Sequence, residues 1–406
     1  MLTRTALTKP YIQRRYFSIC LRLVRNTVEV KMYKSTHSTL VVISVIAILL
    51  ALFLSGCSQN KMNAMLVSLE SRPQMPNQRP YMVKQVQFSG GDQGVVLAGE
   101  LTYPQDKTTH RAIVLVAGHS AGQAPAPRDM DLGPEANHKT FLVLSHLLTL
   151  QGYAVLRYDS RGVGQSSGSW LEATNQVLAS DAAAALHWLR TDAGLNLQDS
   201  GYLGHSMGTD RALLATQLEP ADFLILIAGG LEVMADLLLR QNYEAAQKAG
   251  FDQNQLQLLI TQYQHVFDLM RRAEDRHQAM EKIESYLTAQ GATQQDAQLL
   301  AQRICDAVIY ADLDTDFSPL MAGYKQPILT ILGAKDTWVS LNINEEPIQQ
   351  QFTNSLSKQR VYPNMNHVLQ PAQTGEDDEI WRIKTTVDPK IVDGIDQWLL
   401  SVQSTE

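Results

Sequence analysis

The chain has 406 residues, 45% of them hydrophobic and 18% charged, with a formal net charge of −7. That is enough apolar sequence to bury a large core, and it excludes a disordered or low-complexity chain. Three cysteines, Cys20, Cys57 and Cys305, are too few and too scattered for a disulfide framework or a zinc site, and Cys305 reads as a small buried apolar residue.

No charged residue occurs from Ser38 to Gly56, a run long and apolar enough to insert in a membrane, with Lys31 and Lys34 just upstream. It closes on Leu-Ser-Gly-Cys, residues 54–57, which resembles the lipobox of bacterial lipoproteins. That resemblance implies cleavage before Cys57 and lipidation of Cys57. With Ser58 next instead of aspartate, it also implies an outer-membrane lipoprotein of a Gram-negative envelope, facing the periplasm. Residues 1–56 are then a signal peptide, whose stretch 1–31 exceeds the usual n-region and makes Met32 a candidate start; the alternative is a signal anchor kept as a membrane helix. These 56 residues hold 8 of the 34 Lys and Arg and 1 of the 41 Asp and Glu, leaving 26 against 40 and a formal −14 for the rest. So acidic a body is a poor nucleic-acid partner and is repelled by anionic head groups, so that membrane attachment would come from acyl chains. Residues 57–83, polar and proline-bearing, read as a tether.

From there strand and helix alternate. Residues 84–104 read as a hairpin around Gly90 and Gly91, 111–118 as a buried strand, 138–152 as a helix stopped by Gly152, and 153–159 as a further strand. An alanine-rich helix ends near Gly194, a short strand "SGYLG" leads into "HSMGTD", and helical "DRALLATQLEP" precedes the continuous apolar run "ADFLILIAGG". Such alternation predicts a mostly parallel sheet covered by helices, and ligands bind outside the carboxyl ends of such strands. Ser206 lies at one of those ends, between Gly204 and Gly208 in a G-x-S-x-G pattern, at a strand-to-helix junction that suits a strained nucleophile elbow.

A serine hydroxyl needs a base, and the base a carboxylate to fix its tautomer. Downstream of Ser206 stand only His265, His277 and His367; the first two lie in charged helical sequence, whereas His367 follows the apolar "RVYP" as a strand-end loop would. Asp336 sits at the turn after the apolar strand "PILTILG". Asp312, Asp314 and Asp316 compete, but no strand precedes them, and they suit capping or solvated turns. The order Ser206, Asp336, His367 is the nucleophile–acid–base order of the α/β-hydrolase fold.

On "HKTFLVLSHLLTLQGYAVLRYDSRGVGQSSG", "DFSPLMAGYKQPILTILGAKDTWV" and "MNHVLQPAQTGEDDEIWRIKTTVDPKIVDGIDQWL", the chain resembles bacterial α/β-hydrolases of the serine-aminopeptidase-like group, and most closely the EstD-type carboxylesterases, over roughly residues 84–406. The resemblance implies Ser206 as nucleophile, Asp336 as acid and His367 as base. It departs at "AGHSAGQAPAPRDMD", where relatives carry a shorter G-S-G-P-x-D-R-D-like loop. This loop is expected to supply one oxyanion donor, the backbone N–H of His119, beside that of Met207; the His119 side chain is expected to line a pocket wall. Glycine-rich "DSRGVGQSSG" lacks the lysine and spacing of a phosphate loop and reads as a loop beside the pocket.

Residues 84–229 and 315–406 form the expected hydrolase core, and 230–314 an expected helical lid. Its helices include one opened by a capping box at Asp252 and Gln255 and one starting at Thr293 and running to Tyr310. The expectation is an α/β-hydrolase-fold serine hydrolase cleaving short to medium acyl esters through an acyl-enzyme. It would use no metal or organic cofactor, and its partners would be a small-molecule ester and a membrane met through a lipid anchor. Two alternatives stand beside it. One is an aminopeptidase or acyl-peptidase of the same fold, for which Glu232, Asp236 and Glu244 could hold a substrate ammonium. The other is a non-catalytic envelope lipoprotein with a vestigial site.

Overall fold

The computed structural model describes residues 72–106, 109–119, 125, 127–130 and 138–402. Its sheet has eight strands: β1 (Met82–Ser89), β2 (Val96–Tyr103), β3 (Arg111–Val116), β4 (Ala154–Tyr158), β5 (Asp199–His205), β6 (Phe223–Ile227), β7 (Ile328–Gly333) and β8 (Lys358–Tyr362). They lie in the order β1-β2-β4-β3-β5-β6-β7-β8. β1 and β2 form an antiparallel hairpin, β2 pairs antiparallel with β4, and every pairing from β4 to β8 is parallel. β3, β4, β6 and β7 are buried along their whole length. Strands covered on both faces do not need polar alternation, which is why they read as unbroken apolar runs.

Alternate residues serve opposite faces. Val114, Val116, Leu156, Tyr202 and Leu224 pack on one side with the alanines of α2 (Asn175–Thr191), whose Ala179, Ala182 and Ala185 let the helix approach closely. Ile113, Leu115, Val155, Leu203 and Ile225 face the other side. There they meet Phe141 and Leu144 of α1 (Thr140–Leu150) and Trp398 of the C-terminal helix, Pro389–Ser401. Full burial of each such side chain contributes about 1.5–3 kcal/mol, as an upper estimate. This is the α/β-hydrolase fold that the sequence leads one to expect. In the register of β3 and β5, Val116 stands opposite Gly204, so the residues following both strands emerge at the same level.

The chain divides into two compact units, Met234–Leu313 and the flanking sequence that holds the sheet. The smaller unit is helical: α4 (Met234–Lys248), α5 (Gln253–Arg271), α6 (Arg276–Ala289), α7 (Gln294–Ile304) and α8 (Ala307–Asp312). Leu256, Leu259, Phe267, Ile283, Leu287, Leu300 and Cys305 belong to a core of its own. The capping box of Asp252 and Gln255 is formed. The helix opened by Thr293 does not run through to Tyr310, however. It stops at Ile304, and Asp306 begins α8 by accepting the N–H of Val308 at 2.9 Å. An aspartate able to cap competes with helix continuation, and here the local cap prevails.

Within the larger unit, the tether sequence from Arg72 onward is docked. Arg72 donates to the carbonyls of Ile383 and Trp381, both at 2.9 Å, and Gln74 accepts the N–H groups of Thr386 and Val387. Among the described residues no helix is long and apolar enough to cross a membrane. The apolar run 38–56 and the lipidation candidate Cys57 lie outside the described residues.

Candidate active site

β5 ends at His205, and the next turn begins α3 (Gly208–Ala215). Between them Ser206 has φ +56°, a left-handed conformation that is costly for a residue with a side chain and is held by its surroundings. Its N–H donates to Ile227 O at 2.9 Å, and its carbonyl accepts the hydroxyl of Thr209 at 2.7 Å. The two glycines of the motif are there for space: a Cβ on Gly204 would lie 2.4 Å from the carbonyl oxygen of Gly208, and one on Gly208 would lie 2.1 Å from that of Val116. Strand, turn and helix are thus packed backbone to backbone.

Asp336 follows β7 and His367 follows β8, 31 residues apart in sequence. Asp336 Oδ1 accepts the backbone N–H groups of Trp338 (2.9 Å) and Val339 (2.8 Å), which leaves Oδ2 for His367 Nδ1 at 2.8 Å. Nε2 of the same ring stands 3.0 Å from Ser206 Oγ. Since the carboxylate accepts from Nδ1–H, Nε2 presents its lone pair and the serine hydroxyl donates to it. Both His367 and the Asp336 side chain are buried, which shields the pair from competing water. His265 and His277 sit elsewhere, exposed on the helical unit, the first against the ring of Tyr286 and the second 3.5 Å from Glu281. Asp316 accepts the N–H of Ser318 at 2.8 Å in the turn that leads into a short helix, Ser318–Gly323.

Three features of this site had no clear sequence signal. The His367 loop is closed by a bridge between Met365 and Pro371 and by Asn366, whose Oδ1 accepts the N–H groups of Val368 and Gln370. Trp338 lies over the His367 ring, centroids 4.5 Å apart. His205 donates from Nε2 to the carbonyl of His367 at 2.7 Å, so it must carry its proton there; burial pushes its pKa down to about 3 and keeps the ring neutral. Only a histidine at the very end of β5, next to Ser206, could have hinted at this.

On the other side of Ser206, the backbone after β3 passes the elbow. Met207 immediately precedes α3, where backbone N–H groups are not consumed by the helix. His119 forms an antiparallel bridge with Pro125. Proline has no N–H, so this bridge is the type in which His119's own N–H points away from its partner. The His119 ring is not simply a wall: Nδ1 accepts from Arg211 Nη2 at 2.7 Å. The glycine-rich loop after β4 is a structural bracket. Asp159 accepts the N–H groups of Arg128 and Gln165, and Arg161 pairs with Asp181 through two contacts of 2.7 Å.

The family model described as serine aminopeptidase, S33, matches residues 137–370, more than half of the chain. The chain belongs to this family. The matched stretch takes in Ser206, Asp336 and His367 and begins after His119. Solved structures similar to this hydrolase include the Pyrococcus furiosus esterase Pf2001, at TM-score 0.49 and 14% identity over 80% of this chain and 92% of that one. A thermophilic esterase from Thermogutta terrifontis follows at 0.45 and 18%, over 79% and 100%. A bromoperoxidase from Bacillus anthracis stands at 0.44 and 16%, over 78% and 100%. No curated protein matches the chain.

Proposed function

We propose that this hydrolase cleaves carboxylic esters of short to medium acyl length through an acyl-enzyme. Ser206 Oγ attacks the ester carbonyl while its proton passes to Nε2 of His367. The same proton then goes to the departing alkoxide oxygen as the C–O bond breaks. Water, giving its proton to Nε2, cleaves the acyl-serine and restores the hydroxyl. Asp336 holds the tautomer and stabilises the imidazolium, and the N–H groups of Met207 and His119 receive the oxyanion.

The observation that carries this reading is the continuous chain Ser206 Oγ, His367, Asp336, at 3.0 and 2.8 Å, ending on a serine of positive φ. Ser206→Ala should lower kcat by roughly 10⁴–10⁶ and abolish fluorophosphonate labelling while circular dichroism stays unchanged. Ester turnover that survives this substitution removes the reading. Selectivity across acyl lengths should be graded, because each buried methylene contributes only about 0.8 kcal/mol.

The family's description favours a second reading, an aminopeptidase. That activity needs a carboxylate for the substrate ammonium. Of the three candidates, Glu244 pairs with Arg240, one turn away on the same helix, at 3.3 Å. The two are separated by kcat/KM for p-nitrophenyl butyrate against alanine p-nitroanilide, repeated in Glu232→Gln, Asp236→Asn and Glu244→Gln. Efficient anilide cleavage lost in one of these variants makes the protein a peptidase.

The lipobox-like residues 54–57 support attachment to the outer membrane through acyl chains on Cys57, with the hydrolase facing the periplasm. Full-length protein should then take up labelled palmitate, and Cys57→Ser should not.

A further inference from the structure

Helix α3 carries more than the end next to Met207. Arg211, one turn in and only 1% exposed, turns its guanidinium back toward the end of β3. Nη1 donates to the carbonyl of Ala117 at 2.5 Å, Nη2 to His119 Nδ1 at 2.7 Å, and Nε to Asn175 Oδ1 at 2.9 Å. A guanidinium only donates, so His119 Nδ1 must accept, and the ring is held neutral with its proton on Nε2.

The two grips on this loop bracket a single residue, Gly118, which packs against the elbow at Ser206 and Met207. A Cβ there would stand 3.1 Å from both Met207 N and Ser206 Cβ, and 2.8 Å from the carbonyl oxygen of His205. The loop therefore meets the elbow by bare backbone, and a side chain rooted on the elbow's own helix holds it from both sides. Burying a guanidinium is costly unless its hydrogen bonds are well made, and lysine could not reach two partners in this fork. A structural anchor for α3 alone would not require contacts on either side of Gly118.

We propose that Arg211 is the positioning residue of the oxyanion hole: by gripping Ala117 and His119 from the helix next to Met207, it sets the separation between the two backbone donors. This rests on the reading that Met207 and His119 receive the oxyanion. Misplacing one donor by about 1 Å costs catalysis and leaves ground-state binding nearly untouched.

The test compares Arg211→Met, His119→Leu and His119→Asn on p-nitrophenyl butyrate. It also follows inhibition by a trifluoromethyl ketone, whose adduct with Ser206 places a negative oxygen in the hole. Arg211→Met and His119→Leu should each lower kcat by roughly 30- to 100-fold with KM within about threefold, and should weaken the ketone in parallel with kcat/KM. His119→Asn, whose Oδ1 can accept from Arg211, should recover most of the kcat and ketone affinity that His119→Leu loses. Arg211→Met added to His119→Leu should cost little more. If Arg211→Met does not fold, the His119→Leu and His119→Asn pair decides the question alone. Ketone affinity unchanged while kcat falls, or both unchanged in His119→Leu, overturns the proposal. Failure of the ester reading itself would show separately, as turnover retained by Ser206→Ala.

Discussion

The two loops flanking Ser206 are held by opposite chemistry. On the base side, the His367 loop is gripped by one hydrogen bond from a neutral imidazole, His205 Nε2 to the His367 carbonyl at 2.7 Å. On the oxyanion side, the Gly118 loop is gripped by a permanent cation, Arg211, reaching Ala117 and His119 at once. One holder, His205, immediately precedes Ser206 and the other, Arg211, stands on the helix that follows it, so the serine's own backbone is the common reference for both loops. The neutral grip is cheap to bury but exists only while the imidazole stays unprotonated. The guanidinium is costly to bury but indifferent to pH.

The largest effect that separates the two sides should come from Asp336→Asn. The amide would donate to Nδ1 of His367, drive the proton to Nε2 and turn that nitrogen from acceptor to donor toward Ser206. A loss on the order of 10³–10⁴ in kcat is expected, with unfolding by urea little changed. A loss below tenfold would mean that Asp336 does not set the tautomer.

Next in size is the neutral grip. His205→Phe keeps the ring beside Phe141 and His367 but leaves the His367 carbonyl without its imidazole donor. That should lower kcat by roughly 30-fold and cost about 1–3 kcal/mol in urea unfolding, while His205→Gln, which retains an N–H, recovers much of both. Equal damage from the two substitutions would reduce His205 to a packing residue.

The smallest effect is the most specific. Burial pushes the His205 pKa down to about 3 and, elsewhere in the same unit, that of His138 down to about 4. Between those values and about 6.5, the unfolded chain takes up protons that the folded chain refuses. Stability is therefore complete above about pH 6.5 and falls as the pH drops. Each histidine should contribute a loss of about 2 kcal/mol by pH 5, from a slope of about 1.4 kcal/mol per pH unit. His205→Gln should remove one such share from the pH 7 to pH 5 difference in urea unfolding. An unaltered difference would show that His205 does not contribute to the loss of stability between pH 7 and pH 5.

Local sequence determined a good deal. Unbroken apolar runs marked β3, β6 and β7 because strands buried on both faces need no alternation. The glycines around Ser206 marked the elbow because backbone approaches of 2.1 and 2.4 Å to their would-be Cβ atoms exclude any side chain. Asp252 and Gln255 announced their helix because a capping box is closed within four residues. The stop at Ile304 was legible only from the cap at Asp306 and was hidden by the amphipathic run across it.

What the tertiary structure decided begins where the chain leaves local contact. Three histidines downstream of Ser206 have the right chemistry, and the β6-β7-β8 order brings one of them, His367, from 161 residues away to 3.0 Å. The reach of Arg211 to Ala117 spans 94 residues, and that of His205 to His367 spans 162. Neither has a periodicity or spacing to betray it. An arginine in a helix and a histidine beside a serine are ordinary sequence. They become holders of a site only when parallel strands of unequal sequence separation end at one level, because a hydrogen bond depends on distances of a few tenths of an ångström that only the packed sheet sets.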